Sequence, residues 1–284
     1  MNERSPGPGD LPTGCRITSH ALVESRLSGI AELRNEPAPT GAPSLPPRFL
    51  RHADEQTVVG VHAVLAAIAG AARPLALARH AVVAAPCQSG RLAAARTLAQ
   101  LPAGGAVTVS PHVVPQCSLH SVAGAVSVAL GMHGPHLGVG GGPEALAEGL
   151  YAAATLVTGR GEPTCAAAWL VATDWDAEPE LEPGGEARTD PVCRGLALLL
   201  ESTESTPTGG EEATLELSLR MPRHAARSGG VAETTGGLVA FARALAMCAE
   251  GGALATWTVT CPWGAEVRVH GRRRSGASRL REAA

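Results

Sequence analysis

The stretch Gly131–Glu162, "GMHGPHLGVGGGPEALAEGLYAAATLVTGRGE", decides the fold of this 284-residue chain. It predicts, in order, a glycine-bounded turn, a short strand, a sharp glycine loop and a long alanine-rich helix. A strand, a tight loop and a helix N-terminus together can present a nucleophile at the top of a sheet. The tip of this loop consists of Gly141, Gly142, Pro143 and Glu144, none of which carries a thiol or a hydroxyl.

Strand-length apolar runs alternate with helical patterns on both sides of this stretch. We predict strands at 15–25, 80–86, 104–111, 136–141 and 164–175, and helices at 53–72, 89–102, 118–132 and 144–158. The first of these helices has the pattern of a packed surface helix, and Pro102 should stop the second. The alternation of strands and helices predicts an α/β layered architecture.

The pattern changes after Asp176. The acidic segment 176–191 predicts a solvated loop, and two strands at 193–201 and 213–222 are expected to be antiparallel neighbours. A helix at 236–252 and a hairpin at 253–271, turning at Pro262–Gly264, complete the pattern. We expect residues 1–14 to be disordered and 272–284 to form an arginine-rich tail.

Composition excludes several classes of function. All 23 basic residues are arginine, which we interpret as GC-rich bacterial coding. A net charge of −3 and an aromatic content of 2% argue against nucleic-acid binding. No apolar run reaches the roughly 20 residues that span a membrane. Seven cysteines without a paired framework, after a polar N-terminus, predict free thiols in a soluble protein of the reducing cytoplasm.

Several segments together resemble β-ketoacyl-ACP synthases. The segment "VSPHVVPQCSLHSVAGAVSVALGMHGPHLGV" has the Ser-Pro, the Pro-centred turn, the Ala-Gly-x-Val-Ser helix and the Gly-x-x-Gly-Pro that lead into that family's nucleophile strand. The segment 145–175 is similar to the nucleophile helix, its basic-Gly-acidic turn and the next core strand. "GLALLLES" and "TTGGLVAFARALAMCAEGG" are similar to a later strand and to the helix after a catalytic histidine.

The resemblance implies a thiolase-like layered αβαβα architecture. It is continuous over 45–201 and patchy beyond, and the chain is too short for both complete halves of that fold. We therefore expect one synthase-like domain at 15–271, with a core at 45–201 like the N-terminal half and a reduced C-terminal part at 212–271.

The departure from the family pattern concerns its catalytic groups. The position of the family's catalytic cysteine falls on Pro143 or Glu144, and the first histidine position falls near Glu233 and Thr234. The second histidine has no counterpart, so we expect no condensing activity from this chain alone, and no metal or cofactor. In these respects the chain is similar to chain-length factors.

That similarity implies partners and a surface. Chain-length factors pair with an active ketosynthase in type II polyketide or fatty-acid systems, and meet an acyl carrier protein through that complex. They pack through the sheet edge and the helices beside the nucleophile loop, and an acyl tunnel follows the interface. The residues expected at such an interface or tunnel are Pro115, Gln116, Cys117, His120, Gly138 and Gly140.

Other interpretations remain open at this point. Cys117 with His120, or Cys87 alone, is a candidate nucleophile of an acyltransferase or hydrolase. A stand-alone acyl-binding or scaffold protein is a third possibility. Cys117, His120, His133 and His136 mimic zinc-finger spacing, but an α/β core of this size folds without metal. The glycine loop lacks the Gly-Lys-Ser/Thr of a phosphate loop, and Glu144 most simply favours the helix dipole.

Overall fold

A computed structural model describes residues 15–158, 165–183, 185–203, 214–220, 237–249, 256–261, 263 and 265–272. All structural statements below concern these residues. The segment 1–14, the tail 273–284 and the expected histidine position at Glu233 and Thr234 lie outside them.

The described residues form a sheet of eight strands and seven α-helices. The strands are β1 Cys15–Arg26, β2 His80–Pro86, β3 His136–Gly138, β4 Ala167–Trp175, β5 Val192–Ser202, β6 Thr214–Arg220, β7 Thr256–Thr260 and β8 Glu266–Arg272. The helices are α1 Ile30–Leu33, α2 Glu55–Ala69, α3 Arg91–Gly104, α4 Val113–Gln116, α5 Ser121–Leu130, α6 Ala145–Thr158 and α7 Leu238–Ala249.

The sheet is mixed, with the strand order β3-β2-β4-β5-β1-β6-β8-β7. Strand β2 is parallel to both of its neighbours, with Val82 opposite His136 of β3 and Trp169 of β4. All other pairings are antiparallel. Parallel strands end at the same edge of a sheet, so the carboxyl ends of β2, β3 and β4 meet beside the glycine loop.

Helices cover both faces of this sheet. In β4, Trp169 and Val171 belong to the apolar cluster under α2 and α5, whereas Leu170 and Ala172 belong to the cluster under α6 and α7. The period-2 alternation of a strand explains this division. The second cluster also includes Val259 and residues of β8, so it joins the C-terminal hairpin to α6. The expected α/β layered fold is confirmed.

Helix α6 lies unusually close to the sheet. A Cβ atom added to Gly149 would lie 2.5 Å from Cβ of Ala85 and 2.6 Å from Cδ1 of Leu170. Ala153 and Ala154 of the same helix are also fully buried. Small side chains therefore allow the helix backbone to approach β2 and β4, which fixes the position of the helix N-terminus.

Many predicted elements are confirmed. The strand at 80–86 has the predicted bounds, and the strands at 15–25, 136–141 and 164–175 correspond to β1, β3 and β4. The helices at 118–132, 144–158 and 236–252 correspond to α5, α6 and α7. The antiparallel C-terminal hairpin is present as β7 and β8, and segment 176–190 carries no helix or strand beyond an isolated bridge.

Two predictions about strands are wrong. Residues 104–111 form the end of α3 and a single 3₁₀ turn, and the Val107 side chain is 91% exposed, because no neighbouring strand pairs with this segment. Strands β5 and β6 are not neighbours, since β1 lies between them and pairs with both. Pairing between distant strands leaves no local pattern in the sequence.

Two predictions about helices are also wrong. Pro102 does not stop α3, which continues to Gly104, because a proline near a helix end disrupts few hydrogen bonds. Helix α2 is not a surface helix. It is buried on nearly all sides between the sheet and α5, and the Asp54 side chain caps its N-terminus by accepting a hydrogen bond from Thr57 N at 3.0 Å.

Candidate functional site: the elbow and its cavity

The elbow, which we define as Gly138–Glu144, is built on the parallel pair of β2 and β3. It follows β3 directly, and an isolated parallel bridge joins Gly141 to Cys87 after β2. Gly141 N donates to the Pro86 carbonyl at 3.0 Å, and its own carbonyl accepts from Gln88 N at 3.1 Å. The end of β2 therefore holds the elbow in place on both sides.

Glycine is required at three positions of the elbow. Gly140 and Gly141 have φ angles of +84° and +101°, a conformation that L side chains rarely adopt. At Gly138 the constraint is space rather than φ, since a Cβ atom there would lie 2.3 Å from the backbone of Leu119. The loop that contains Cys117 and His120 thus lies directly on the strand leading into the elbow.

The tip of the elbow opens α6 without a nucleophile. The Glu144 carbonyl accepts from Glu148 N at 3.1 Å, so Glu144 is the residue before the first helical turn. Pro143 is exposed. Oε2 of Glu144 is shielded from solvent and accepts no hydrogen bond from the described residues. The geometry that presents a reactive side chain is therefore present, but the side chains presented are a pyrrolidine ring and a carboxylate.

A cavity of about 230 Å³ lies beside the tip. Its described lining comes from five separate parts of the chain: the end of β2, the end of β4, the first turn of α6, the start of α7 and strand β7. We call it the elbow cavity, and its described lining residues are Ala85, Cys87, Pro143, Glu144, Ala145, Leu146, Ala147, Ala172, Thr173, Asp174, Trp175, Gly237, Leu238, Trp257 and Val259. Its walls are mostly apolar, with Glu144 and Asp174 as their acidic members.

Asp174 lies at the end of β4, opposite Arg194 of β5. Burial raises the pKa of this carboxyl from 3.8 to about 6, while Arg194 opposes the rise and the charges of Asp176 and Glu24 add to it. Nη1 of Arg194 is 3.8 Å from Oδ1 of Asp174, and its Nε donates to Glu24 at 2.9 Å. One guanidinium is thus shared among three carboxylates.

The two candidate nucleophilic thiols are not activated. Burial raises the pKa of Cys87, and the Asp174 charge raises it further, although Arg91 opposes this. The pKa of Cys117 is also raised, by burial and by the charge of Asp54. Because the thiolate is the reactive form, both environments disfavour nucleophilic chemistry. Cys117 is exposed.

The structure gives contacts for several of the expected interface residues. His120 Nε2 is 2.6 Å from Nδ1 of His136, and the Gln116 side chain donates to the His52 carbonyl at 2.6 Å. Pro115 is exposed. Of this set, His120 lies against Gly138, because a Cβ atom on Gly138 would lie 2.6 Å from the His120 backbone nitrogen.

Two of the residues with zinc-finger spacing, His120 and His136, are in contact. Among the described residues, no group of three or more histidine, cysteine, aspartate or glutamate side chains is arranged to hold a metal ion. The described side chains include those of six cysteines, and all six are free thiols. No described helix combines the length and apolarity needed to cross a membrane.

Four bulky apolar side chains on the elements from α3 to α5 are mostly exposed. The side chains of Leu98, Val107, Val114 and Val128 are 66%, 91%, 74% and 75% exposed, respectively. They belong to α3, the turn after it, α4 and α5. Strand β3 is the first strand of the sheet, so no described strand pairs with its outer edge.

Comparisons with known proteins identify the fold. No family model matches the chain, and no curated protein matches it significantly. Solved structures do match. A chain of the ishigamide ketosynthase/chain length factor is 16% identical, with 92% of this chain and 99% of that chain covered and a TM-score of 0.53.

Two further structures match over similar lengths. A chain of the ketosynthase ApeO in complex with its chain length factor ApeC, from Xenorhabdus doucetiae, is 16% identical, with coverages of 90% and 98% and a TM-score of 0.52. A chain of the type II polyketide synthase complex AntDE:AntF, an acyl-carrier protein with its ketosynthase, is 11% identical, with coverages of 92% and 99% and a TM-score of 0.58. The chain has the thiolase-like fold of these structures, as the sequence resemblance implied.

Proposed function

We propose that this chain is a non-catalytic subunit of the chain-length-factor type, which pairs with an active ketosynthase in type II polyketide or fatty-acid biosynthesis. The observation that carries the proposal is the elbow. Its glycines, its close-packed helix and its cavity have the form of a nucleophile site, yet the tip holds Pro143 and Glu144. The remaining roles of this site are to shape the acyl tunnel and to pair with the ketosynthase.

The thiols support a non-catalytic role. A substitute nucleophile would have to be Cys87 or Cys117, and the pKa of each is raised rather than lowered. The expected replacements of the catalytic histidine, Glu233 and Thr234, lie outside the described residues and stay predictions from the sequence. We take residues 15–271 as one cytoplasmic domain without metal or cofactor.

The partner surface in this proposal is the side of the elbow that carries β3. An unpaired strand edge with exposed apolar side chains around it is costly in water and is typical of protein interfaces. The surface combines the β3 edge, Val114 of α4 and Val128 of α5. Leu119 and Ala145 of this chain fill the space beside Gly138 and Gly140, whereas the space beside Gly142 is open and would leave room for an acyl chain or for a loop of the ketosynthase. The acyl carrier protein would bind the assembled pair.

The test is co-expression with a catalytic ketosynthase of a type II system, one with an intact cysteine and two histidines. We expect the two to co-purify as a heterodimer and to form product only together. Val128→Arg should prevent co-purification, because it places a charge within the apolar surface. Met247→Arg is the matched control, since Met247 is also an exposed apolar side chain (61%) but lies on α7.

The opposite results would reject the proposal. A stable monomer that never co-purifies with the ketosynthase rules out the pairing. Acylation of the isolated chain by a labelled thioester, followed by extension with malonyl units, would falsify the non-catalytic role.

A further inference from the structure

The elbow cavity has the dimensions of a site for a small molecule. Its volume of about 230 Å³ is below the range of roughly 300–1,000 Å³ that drug-sized ligands need. Apolar side chains form most of the wall, including Leu146 and Leu238 on opposite helices. An occupant of this space would therefore be a short aliphatic group with one polar end.

The charges around the cavity have one sign. Glu144 and Asp174 line it, and no basic side chain is among its described lining residues. Arg194, the nearest described cation to Asp174, also serves Glu24 and Asp176. A bound cation stabilises carboxylates that are held in a partly apolar space, whereas a bound anion is repelled by them. The electrostatic potential in the cavity therefore disfavours ligands with carboxylate or phosphate groups.

One oxygen of each carboxylate lacks a hydrogen-bond partner, although Arg194 lies 3.8 Å from Asp174. Oε2 of Glu144 and Oδ1 of Asp174 are both shielded from solvent and accept no hydrogen bond within the described part of the chain. Burial raises the pKa of both Cys87 and Cys261, and the carboxylates add to the rise: Asp174 at Cys87, and Glu148 and Glu144 at Cys261. A ligand that carries hydrogen-bond donors and a positive charge would supply hydrogen bonds to these two oxygens and offset the negative charge.

Aromatic side chains add a further preference for cations. Trp175 and Trp257 are among the lining residues, and the ring centroid of Trp257 is 4.4 Å from that of Phe241. The faces of indole rings attract ammonium groups with about 0.5–2 kcal/mol, depending on how far the cation is desolvated. Carboxylates beside indole rings favour an organic amine over a hydrated metal ion.

We propose that the elbow cavity binds a small alkylammonium group, whose N–H groups donate to the Glu144 and Asp174 carboxylates while its aliphatic part lies against Leu146, Leu238 and Val259. This site would be a further function of the chain. It does not depend on pairing with a ketosynthase, so the two proposals can fail separately.

The first test uses the wild-type full-length chain and three probes of equal length that differ only in their polar end: n-butylammonium, 1-butanol and butyrate. Isothermal titration calorimetry at pH 7 should rank the ammonium at least about tenfold above the alcohol, the factor expected for hydrogen bonds to charged groups. Butyrate should not bind. Equal binding of ammonium and alcohol, preference for butyrate, or no binding of any probe overturns the proposal.

The second test uses variants that keep the shape of each side chain. Glu144→Gln and Asp174→Asn should each weaken n-butylammonium binding about tenfold or more and leave 1-butanol binding unchanged. Glu178→Gln is the control, because Glu178 is an exposed carboxylate paired with Arg91 outside the cavity. If the control weakens ammonium binding as much as the two cavity variants do, binding reflects overall charge and the proposal is wrong.

Discussion

Helices α2 and α3 are nearly equal in length and differ completely in burial. Twelve of the fifteen residues of α2 are buried, whereas Leu92 is the single buried residue among the fourteen of α3. Both sequences are rich in alanine and in aliphatic side chains. The difference arises because α2 lies between the sheet and α5, and no described element covers most of α3.

This contrast shows which apolar side chains are covered by the chain itself and which are left exposed. The layer of α2 has its apolar groups covered by the chain itself. The neighbourhood of α3 leaves Leu98 and Val107 in solvent, and α3 contacts α4, which carries Val114 of the proposed partner surface. Apolar surface of this kind is normally covered in an assembly, so substitutions in the two helices should affect different measurements.

The largest expected effect is on folding, through α2. Leu65 is fully buried, so Leu65→Ala should lower the free energy of unfolding by about 2–5 kcal/mol. Leu98→Ala, the same change at an exposed position of α3, should lower it by less than about 0.5 kcal/mol. Urea unfolding followed by circular dichroism measures both. Equal losses would mean that α3 is as well packed as α2, contrary to the structure.

The next effect is the pH dependence contributed by Asp174. Because its pKa is raised from 3.8 to about 6 in the folded state, its contribution to stability is full below pH 3.8 and is lost as pH rises through 6. Asp174→Asn should therefore stabilise the fold at pH 7 by up to about 3 kcal/mol and flatten the pH profile. Leu98→Ala should keep the wild-type profile. Unfolding titrations from pH 4 to 7 test this, and an unchanged profile for Asp174→Asn contradicts it.

A smaller effect is expected on pairing, through α3. Leu98→Ala should weaken binding to the ketosynthase by about threefold to tenfold, since truncation of an interface side chain commonly costs about 1 kcal/mol. Hydrogen exchange provides an independent measurement: the amides of α3 should gain protection when the partner is added, and those of α2 should not change. Unaltered affinity together with unaltered exchange would place the interface elsewhere.

The smallest effect is expected at Cys117. Because this thiol is exposed and its pKa is raised, Cys117→Ala should change the free energy of unfolding by less than about 0.5 kcal/mol. Product formation by the pair should also persist. Loss of product formation from a folded, paired Cys117→Ala variant would instead favour an acyltransferase that uses this cysteine.

The sequence predicted the elements whose signal is local. Strand β2 was predicted with its observed bounds, because a continuous apolar run bounded by His80 and Pro86 has few alternatives. The elbow was also predictable, since its glycines and the helix that follows are adjacent in sequence. The burial of α2 was not, because apolar spacing indicates an apolar face but not how many neighbours cover the rest of the helix.

The elements and groups that the sequence did not predict depend on distant contacts. The placement of β1 between β5 and β6 joins residues nearly 190 positions apart, such as Cys15 and Ser202, and no periodicity records that pairing. The elbow cavity was missed for the same reason, since its described wall is assembled from five segments. The sequence signal for this cavity was an acidic residue, Asp174, at the end of a predicted strand. Only the fold shows that Asp174 lines the same cavity as Glu144.

The close packing of α6 against the sheet at Gly149 has an evolutionary consequence. A helix anchored by its middle, against Ala85 and Leu170, keeps its first turn in place whatever residue stands at the tip. Selection can then exchange the residues at Pro143 and Glu144 without redesigning the surrounding architecture. One ancestral framework could in this way give rise both to subunits that carry out chemistry and to subunits that only accompany them.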